Sequence, residues 1–385
     1  MSTFSHHSHH SHHSHHSHHS HQSHPAGGSS SLLSAAIGLT AEGVLGYWDG
    51  TGTNAPNRAP AIARPTCDGV ETKERLTALA RDVLSEVLAH EAGSLFSVVP
   101  KDKTVALRAN GTDLVRITPP DPDTLGQVKK GVSQLMHMRT AADLRADRLD
   151  EIIAQMADLL SFFGAVFKLD WGGRRWTMTL LDAVLRCVTA QHMRIKIYCT
   201  TPRPIDISPQ VQPIIQTPGH SSYVSGHATE SFAIATVLAC LNGLSPDELV
   251  RLLAKDDKTQ ESDAATDRIP LLPFRLAERI ADNRTVAGVH FPTDSAGGAV
   301  TGIMTALAII GYARTPDSSK QPAQLVPRRV NGSDWTEMFR LDLLRNALAS
   351  DRLGIAALGK PVALPMSPDH SALRKVWEFA RAEWK

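Results

Sequence analysis

Apolar residues recur at helical spacing along most of the chain. From Thr72 to Ala92 they are Leu76, Leu79, Ala80, Val83, Leu84, Val87 and Leu88, and from Thr140 to Phe167 they are Leu144, Leu149, Ile152, Ile153, Met156, Leu159 and Leu160. Both stretches predict amphipathic helices. Pro, Gly, Asp and Ser signals bound further helices near 123–138, 175–194, 228–243, 272–281, 295–313, 335–349 and 371–383. Thr104–Thr118 alternates instead around Asn110-Gly111, a pair suited to a type I′ turn, and predicts one small hairpin. The stretches 45–70 and 315–334 are rich in Pro, Gly and Asn and read as loops, and the charged run from Lys255 to Asp267 reads as a solvated loop.

No linker divides residues 31–385, so the expected fold is mainly α, a single large helical-bundle domain. Residues 1–30 form a separate zone in which Ser-His-His recurs and which holds 12 of the 19 histidines. With nothing to bury it cannot offset its ordering entropy, and it reads as a disordered Ser/His-rich tail or tag. Ser295–Ala313 is uncharged and just long enough to cross a bilayer. It has no comparable partner elsewhere, which favours a buried core helix over a membrane span.

At 385 residues and 42% hydrophobic the chain can bury a sizeable core, which excludes overall disorder, and a net charge of +1 gives no field for steering onto nucleic acid. Any basic site must be local. Cys67, Cys187, Cys199 and Cys240 form no Cys-x-x-Cys pair and read as reduced, mostly buried residues. The absence of a basic region followed by an apolar run at the N-terminus leads to an expected cytoplasmic location. A homo-oligomer is compatible with all of this.

Three stretches group residues that suit one chemistry. In the first, Lys196 and Arg203 lie seven positions apart, and Pro202 and Pro204 hold Arg203 in a rigid loop. In the second, Pro218-Gly-His220-Ser-Ser-Tyr-Val-Ser225-Gly226-His227 runs into an apolar helix, placing Ser225 and Gly226 at its N-terminus, where free amides and the helix dipole favour an anion. Bare Gly226 would let a ligand approach closely, and His227 would be available for proton transfer. In the third, Arg284 precedes His290, and Asp294 four residues later can accept a hydrogen bond from one ring nitrogen, leaving the other as a nucleophile or ligand. Three cations, a hydroxyl, a helix N-terminus and two imidazoles suit a tetrahedral oxyanion whose central atom is attacked or coordinated. His90, His137, His192 and His370 lack such company and read as ordinary surface or core residues.

In this order the stretches resemble the signature of the superfamily that unites type 2 phosphatidic acid phosphatases with vanadium-dependent haloperoxidases. Lys196, Arg203 and Pro204 match its first part, Ser225, Gly226 and His227 its second, and Arg284, His290 and Asp294 its third. The resemblance covers Met193 to about Ala313 and implies the family's helical-bundle fold. Val224 stands where the family has Pro, and Asn283 where it has Ser.

The resemblance implies one of two activities. In a haloperoxidase, vanadate would be bonded through vanadium to His290 and held by Lys196, Arg203 and Arg284. Lys196 would polarise the peroxide, His227 would move protons, and halide would be oxidised for transfer to a small organic acceptor. In a metal-independent acid phosphatase, His290 would become phosphorylated, Asp294 would orient it, and His227 would protonate the leaving alcohol of a phosphoester. His220, seven residues before His227, matches a His of the bromide-oxidising haloperoxidases and tilts the expectation that way. A non-catalytic oxyanion or metal binder is disfavoured, because binding alone needs neither a nucleophile nor its orienter.

Overall fold

The computed structural model describes residues 72–127, 133–254, 265–314, 324–363, 367–368 and 371–385. The Ser/His-rich tail, the 45–70 stretch, Cys67, His370 and most of the charged run from Lys255 lie outside the described residues. The fold is mainly α, as the spacing predicts.

The first expected helix is two, Lys73–Ala78 (α1) and Arg81–Gly93 (α2), divided at Leu79 and Ala80, whose backbones are extended with ψ of 143° and 148°. Thr72 caps α1, its hydroxyl accepting from the Arg75 amide at 3.2 Å. The 140–167 pattern likewise divides. Gln134–Ala141 (α3) leads through a short 3₁₀ turn into Arg145–Ala157 (α4), and extended Asp158 ends α4 and accepts from the Ser161 amide in the single turn Leu160–Phe163. Leu76, Leu84, Leu88, Ile152 and Leu159 of the pattern are buried, but Leu79, Val83, Val87, Leu144, Leu149 and Ile153 are exposed, so periodicity finds the helices but neither their breaks nor the whole of their buried face.

Behind these lies the bundle: Arg175–Cys199 (α5), Gly226–Leu241 (α6), Pro246–Leu253 (α7), Ala265–Val286 (α8) and Pro292–Ala313 (α9), followed by Leu341–Ser350 (α10) and Ala372–Ala382 (α11). No local side chain caps α5; Glu383 does so from the far end of the chain, accepting from the Trp176 and Thr177 amides at 2.8 and 2.9 Å. Pro270 and Pro273 place the expected start of α8 near 272, yet the helix runs through them from Ala265.

α6 packs on α8 and α9, and α5 on α2, α6 and α11. Two glycines of α9 permit the close approach to α6. A Cβ on Gly298 would lie 2.6 Å from the Ser225 carbonyl oxygen, and one on Gly302 would collide with that of Thr229. The start of α6 is thereby pressed against the first turns of α9. Among the described residues α9 is the one helix long and apolar enough to cross a bilayer, and 94% of its most apolar window is buried inside the protein, as a core helix requires.

The single expected hairpin understates the β content. Thr104–Ala109 (β2) and Thr112–Thr118 (β3) pair across Asn110 and Gly111, both at positive φ (47° and 77°), as a type I′ turn demands. Phe96–Lys101 (β1) pairs antiparallel with β2 on the other side. Part of the 315–334 stretch, expected as loop, supplies Arg328–Asn331 (β4), which runs parallel to β3 and is flanked by Ile355–Ala357 (β5). The five-stranded order is β1-β2-β3-β4-β5. Strands of three or four residues leave too little alternation to read, and the β3 to β4 pairing joins segments more than two hundred residues apart.

Candidate active site

The three motif stretches meet at one end of α5, α6 and α9. Lys196, in the last turn of α5, donates to the carbonyls of Ser221 and Ser222 at 2.8 and 3.0 Å. The Ser222 amide returns a 2.9 Å bond to the Thr201 carbonyl, and the Ser225 amide donates to the Asp294 carbonyl at 2.9 Å. First, second and third stretches are thus joined through main-chain bonds.

Arg203 occupies the junction. Its Nε donates to the His220 carbonyl at 3.0 Å, its Nη1 to the Val289 carbonyl at 2.8 Å, and its Nη2 to Nδ1 of His220 at 3.0 Å. Nη1 also lies 3.2 Å from Nε2 of His290. His290 places Nδ1 3.0 Å from Oδ2 of Asp294, which also accepts from the Phe291 amide at 2.9 Å and from the Ser222 hydroxyl. The amide bond is the reciprocal cap of α9, so one carboxylate both starts that helix and orients the imidazole.

Ser225 is the N-cap of α6, and Gly226 its first residue, as the sequence predicts. What comes close to bare Gly226 is a neighbouring ring: a Cβ there would lie 3.0 Å from Cε1 of His192. His227 and Arg284 face the C-terminal end of α4. Nε2 of His227 lies 3.3 Å from the Gln155 carbonyl oxygen, and Nη2 of Arg284 donates to the Ile152 carbonyl and to Oε1 of Gln155, both at 3.1 Å. Asn283, in place of the family's Ser, is buried and donates to Glu151 and Gln155 at 2.9 and 3.0 Å. The second group is tied to the first through the main chain, because the His290 amide donates to the Arg284 carbonyl at 3.3 Å.

Burial dominates the electrostatics. It pushes the Lys196 ammonium well below its ordinary pKa, with the Arg203 charge adding to the effect, and it lowers Arg203 and Arg284 to about 10. Burial also keeps the imidazoles neutral: His220 falls to about 4, with Lys196 and Arg203 contributing, His227 to about 3, with Arg284 contributing, and His290 well below its usual value. The Asp294 carboxyl is raised by burial to about 6, against the pull of its hydrogen bonds. A buried cluster that cannot comfortably hold its own positive charge is one that an anion would stabilise.

A cleft of about 430 Å³ opens beside this cluster, lined by Thr201, Arg203, Ile205, Asp206, Thr217 and His220 among others. Half-buried His220 opens onto it, and the buried Arg203 forms part of its wall. Among the described residues no three His, Cys, Asp or Glu side chains group as a cation site.

Two participants are absent from the sequence reading, and a third is named in it without a role at the site. Ser222 shares Oδ2 of Asp294 with His290, and nothing distinguishes it from Ser221 in sequence. Gln155 lies on an amphipathic helix with no motif. His192, expected to be an ordinary surface or core residue, is a core residue that pairs with Glu230 at 3.0 Å, and its position four residues before Lys196 on one face of α5 was the available clue to its place beside the site.

Residues 176–316 match the family model described as the PAP2 superfamily, a span that contains all three motif stretches. The match is to the superfamily that the three motif stretches resemble. No curated protein sequence matches the chain. The PAP2 segment runs from the first turn of α5 to just beyond α9, so α4, which contacts Arg284 and His227, stands outside it.

Proposed function

We propose that the protein is a haloperoxidase of the PAP2 superfamily, oxidising halide, with bromide preferred, by hydrogen peroxide at a vanadate held against His290, and passing the oxidised halogen to a small organic acceptor. The observation that carries this reading is the position of His220, whose Nδ1 takes a bond from the same guanidinium that faces His290. Bromide-oxidising members of the superfamily have a His at the corresponding place.

The residues fit an oxyanion of this kind. Nε of Arg284 is buried without an acceptor, and Lys196, Arg203 and the start of α6 supply further donors and positive charge. When bound, vanadate supplies a metal centre that activates hydrogen peroxide toward halide. Asp294 holds the Nδ1 proton of His290 and leaves Nε2 as the lone pair facing the guest. Lys196, Arg203 and Arg284 balance the guest's charge. His227, donating from Nε2 to the Gln155 carbonyl, keeps Nδ1 free to take a proton, and a neighbouring anion raises its pKa from about 3 so that it can hold one.

A metal-independent phosphatase is the second reading, favoured by the cleft. Its volume of about 430 Å³ and hydroxyl-bearing wall at Thr200, Thr201 and Thr217 would admit a phosphoester larger than peroxide and halide. Two assays on the same protein separate them: bromide oxidation with added orthovanadate and peroxide, and hydrolysis of an aryl phosphate. Peroxidase activity that requires vanadate and is suppressed by phosphate supports the first reading. Phosphoester turnover inhibited by vanadate, with no peroxidase activity, replaces it with the second.

A further inference from the structure

We propose that Gln155 is a positioning residue of the oxyanion site, orienting Arg284 with its side chain and His227 with its main chain from a helix outside the PAP2 segment. The inference rests on the oxyanion reading of the site, whichever of the two reactions takes place there.

Gln155 is fully buried, and its amide orientation is fixed by what surrounds it. Its Nε2 donates to Oε1 of Glu151 at 2.9 Å, and a carboxylate can only accept. Its Oε1 is thereby turned toward two donors, Nδ2 of Asn283 at 3.0 Å and Nη2 of Arg284 at 3.1 Å. The Glu151 carboxylate is occupied as well, by the Arg279 guanidinium at 2.6 to 2.9 Å and by Asn283 at 2.9 Å.

Arg284 therefore meets two neutral oxygens, those of Gln155 and of the Ile152 carbonyl, and its Nε has no acceptor. A neutral acceptor holds the guanidinium plane in place without cancelling its charge. A carboxylate at the same point would hold it equally well and neutralise it before any guest arrived. Near the end of α4 the Gln155 carbonyl is among the last of the helix and has no intrahelical donor, so it is free to receive Nε2–H of His227. One residue thus sets the direction of a cation and the tautomer of an imidazole.

The test compares Gln155→Glu, Gln155→Met and Arg284→Gln with the parent, measuring inorganic orthovanadate affinity by titration calorimetry and thermal stability alongside. Gln155→Glu keeps the shape and the acceptor but pairs Arg284 with a charge and sets a carboxylate against Glu151 where the amide donated, so its dissociation constant should rise by about tenfold or more and its Tm should fall. Gln155→Met removes the acceptor without adding a charge and should weaken binding less. A merely structural role predicts the reverse order, with Met the poorer binder, and that order overturns the proposal, as does a Gln155→Glu variant that binds within twofold of the parent. Arg284→Gln separates the failures. If it binds orthovanadate poorly while Gln155→Glu binds normally, the site reading stands and the role of Gln155 falls. If Arg284→Gln binds like the parent, the oxyanion reading itself falls.

Discussion

Nη1 of Arg203 lies 3.2 Å from Nε2 of His290, while Nδ1 of the same ring lies 3.0 Å from Oδ2 of Asp294. A guanidinium can only donate, so Nε2 accepts and the ring proton sits on Nδ1, facing the carboxylate. The ring is neutral and its lone pair is directed at a cation. A guest oxyanion that engages Nε2 must take over Arg203, and the two events become one.

Substituting the two histidines should therefore have different consequences. His290→Ala removes the atom that meets the guest, and turnover should fall to background in whichever of the two assays the parent supports. His227→Ala removes a proton carrier while leaving Lys196, Arg203, Arg284 and His290 in place, so kcat should fall by about 10²- to 10⁴-fold and orthovanadate affinity should largely persist. Activity of the His290 variant equal to the parent's would remove His290 from the chemistry.

The contact between α6 and α9 gives a second expectation. A Cβ at position 302 would run into the Thr229 carbonyl, a backbone atom that cannot swing aside, whereas one at Gly219 meets nothing within 4 Å. Gly302→Ala should destabilise the protein by about 1–3 kcal/mol through overpacking, and Gly219→Ala should leave stability nearly unchanged. Chemical denaturation of both variants checks this. Equal midpoints would mean that the helices are not as tightly apposed as the structure has them.

How much of this was legible beforehand follows from the range of each interaction. Ser225 as N-cap and Asp294 after His290 are local relationships, written in spacings of a few residues, and the structure places both side chains as the spacing implies. The meeting of Lys196 with Ser221 and Ser222, or of Arg284 with Gln155, depends on how α4, α5 and α8 dock, and no periodicity encodes that docking. Gln155 illustrates the limit well. On an amphipathic helix a glutamine is an unremarkable polar residue, and only the tertiary fold turns it inward to a buried arginine. Conversely, the expected chain of loop after α9 failed because β4 finds its partner in β3, a remote strand already formed from a visible hairpin.

Acid should unfold the protein earlier than its carboxylates alone would require. His220, His227 and His290 all have folded pKa values below the unfolded value of about 6.5, so the unfolded chain binds more protons as the pH drops through that value. Their contribution to stability is complete above pH 6.5 and is lost progressively toward pH 4 and 3. Asp294 works the other way, since its folded pKa of about 6 exceeds the unfolded one and its protonation favours the folded state between about pH 4 and 6. Three imidazoles outweigh one carboxyl, so thermal midpoints should fall between pH 6.5 and 4. His290→Gln, which removes one of the imidazoles, should flatten that fall. A pH profile as steep in the variant as in the parent would mean that His290 is not held neutral.

The pair His192 and Glu230 makes the last expectation, and it concerns stability rather than turnover. Oε1 of Glu230 accepts from Nε2 of His192 and from the Thr189 hydroxyl, each at 3.0 Å, in a buried setting between α5 and α6. Burial works against the Glu230 carboxylate, but the hydrogen bonds from His192 and Thr189 hold its pKa at about 2, so it is ionised at neutral pH. Replacing His192 with Leu strips a buried carboxylate of a principal partner, which should cost about 3–5 kcal/mol. Replacing Glu230 as well, with Leu in both places, removes the orphaned charge and should recover much of that loss. Urea denaturation of the two single variants and the double variant closes the cycle. If the double variant loses the sum of the single losses to within about 0.5 kcal/mol, the residues are not coupled, and the contact beneath Gly226 contributes nothing as a pair.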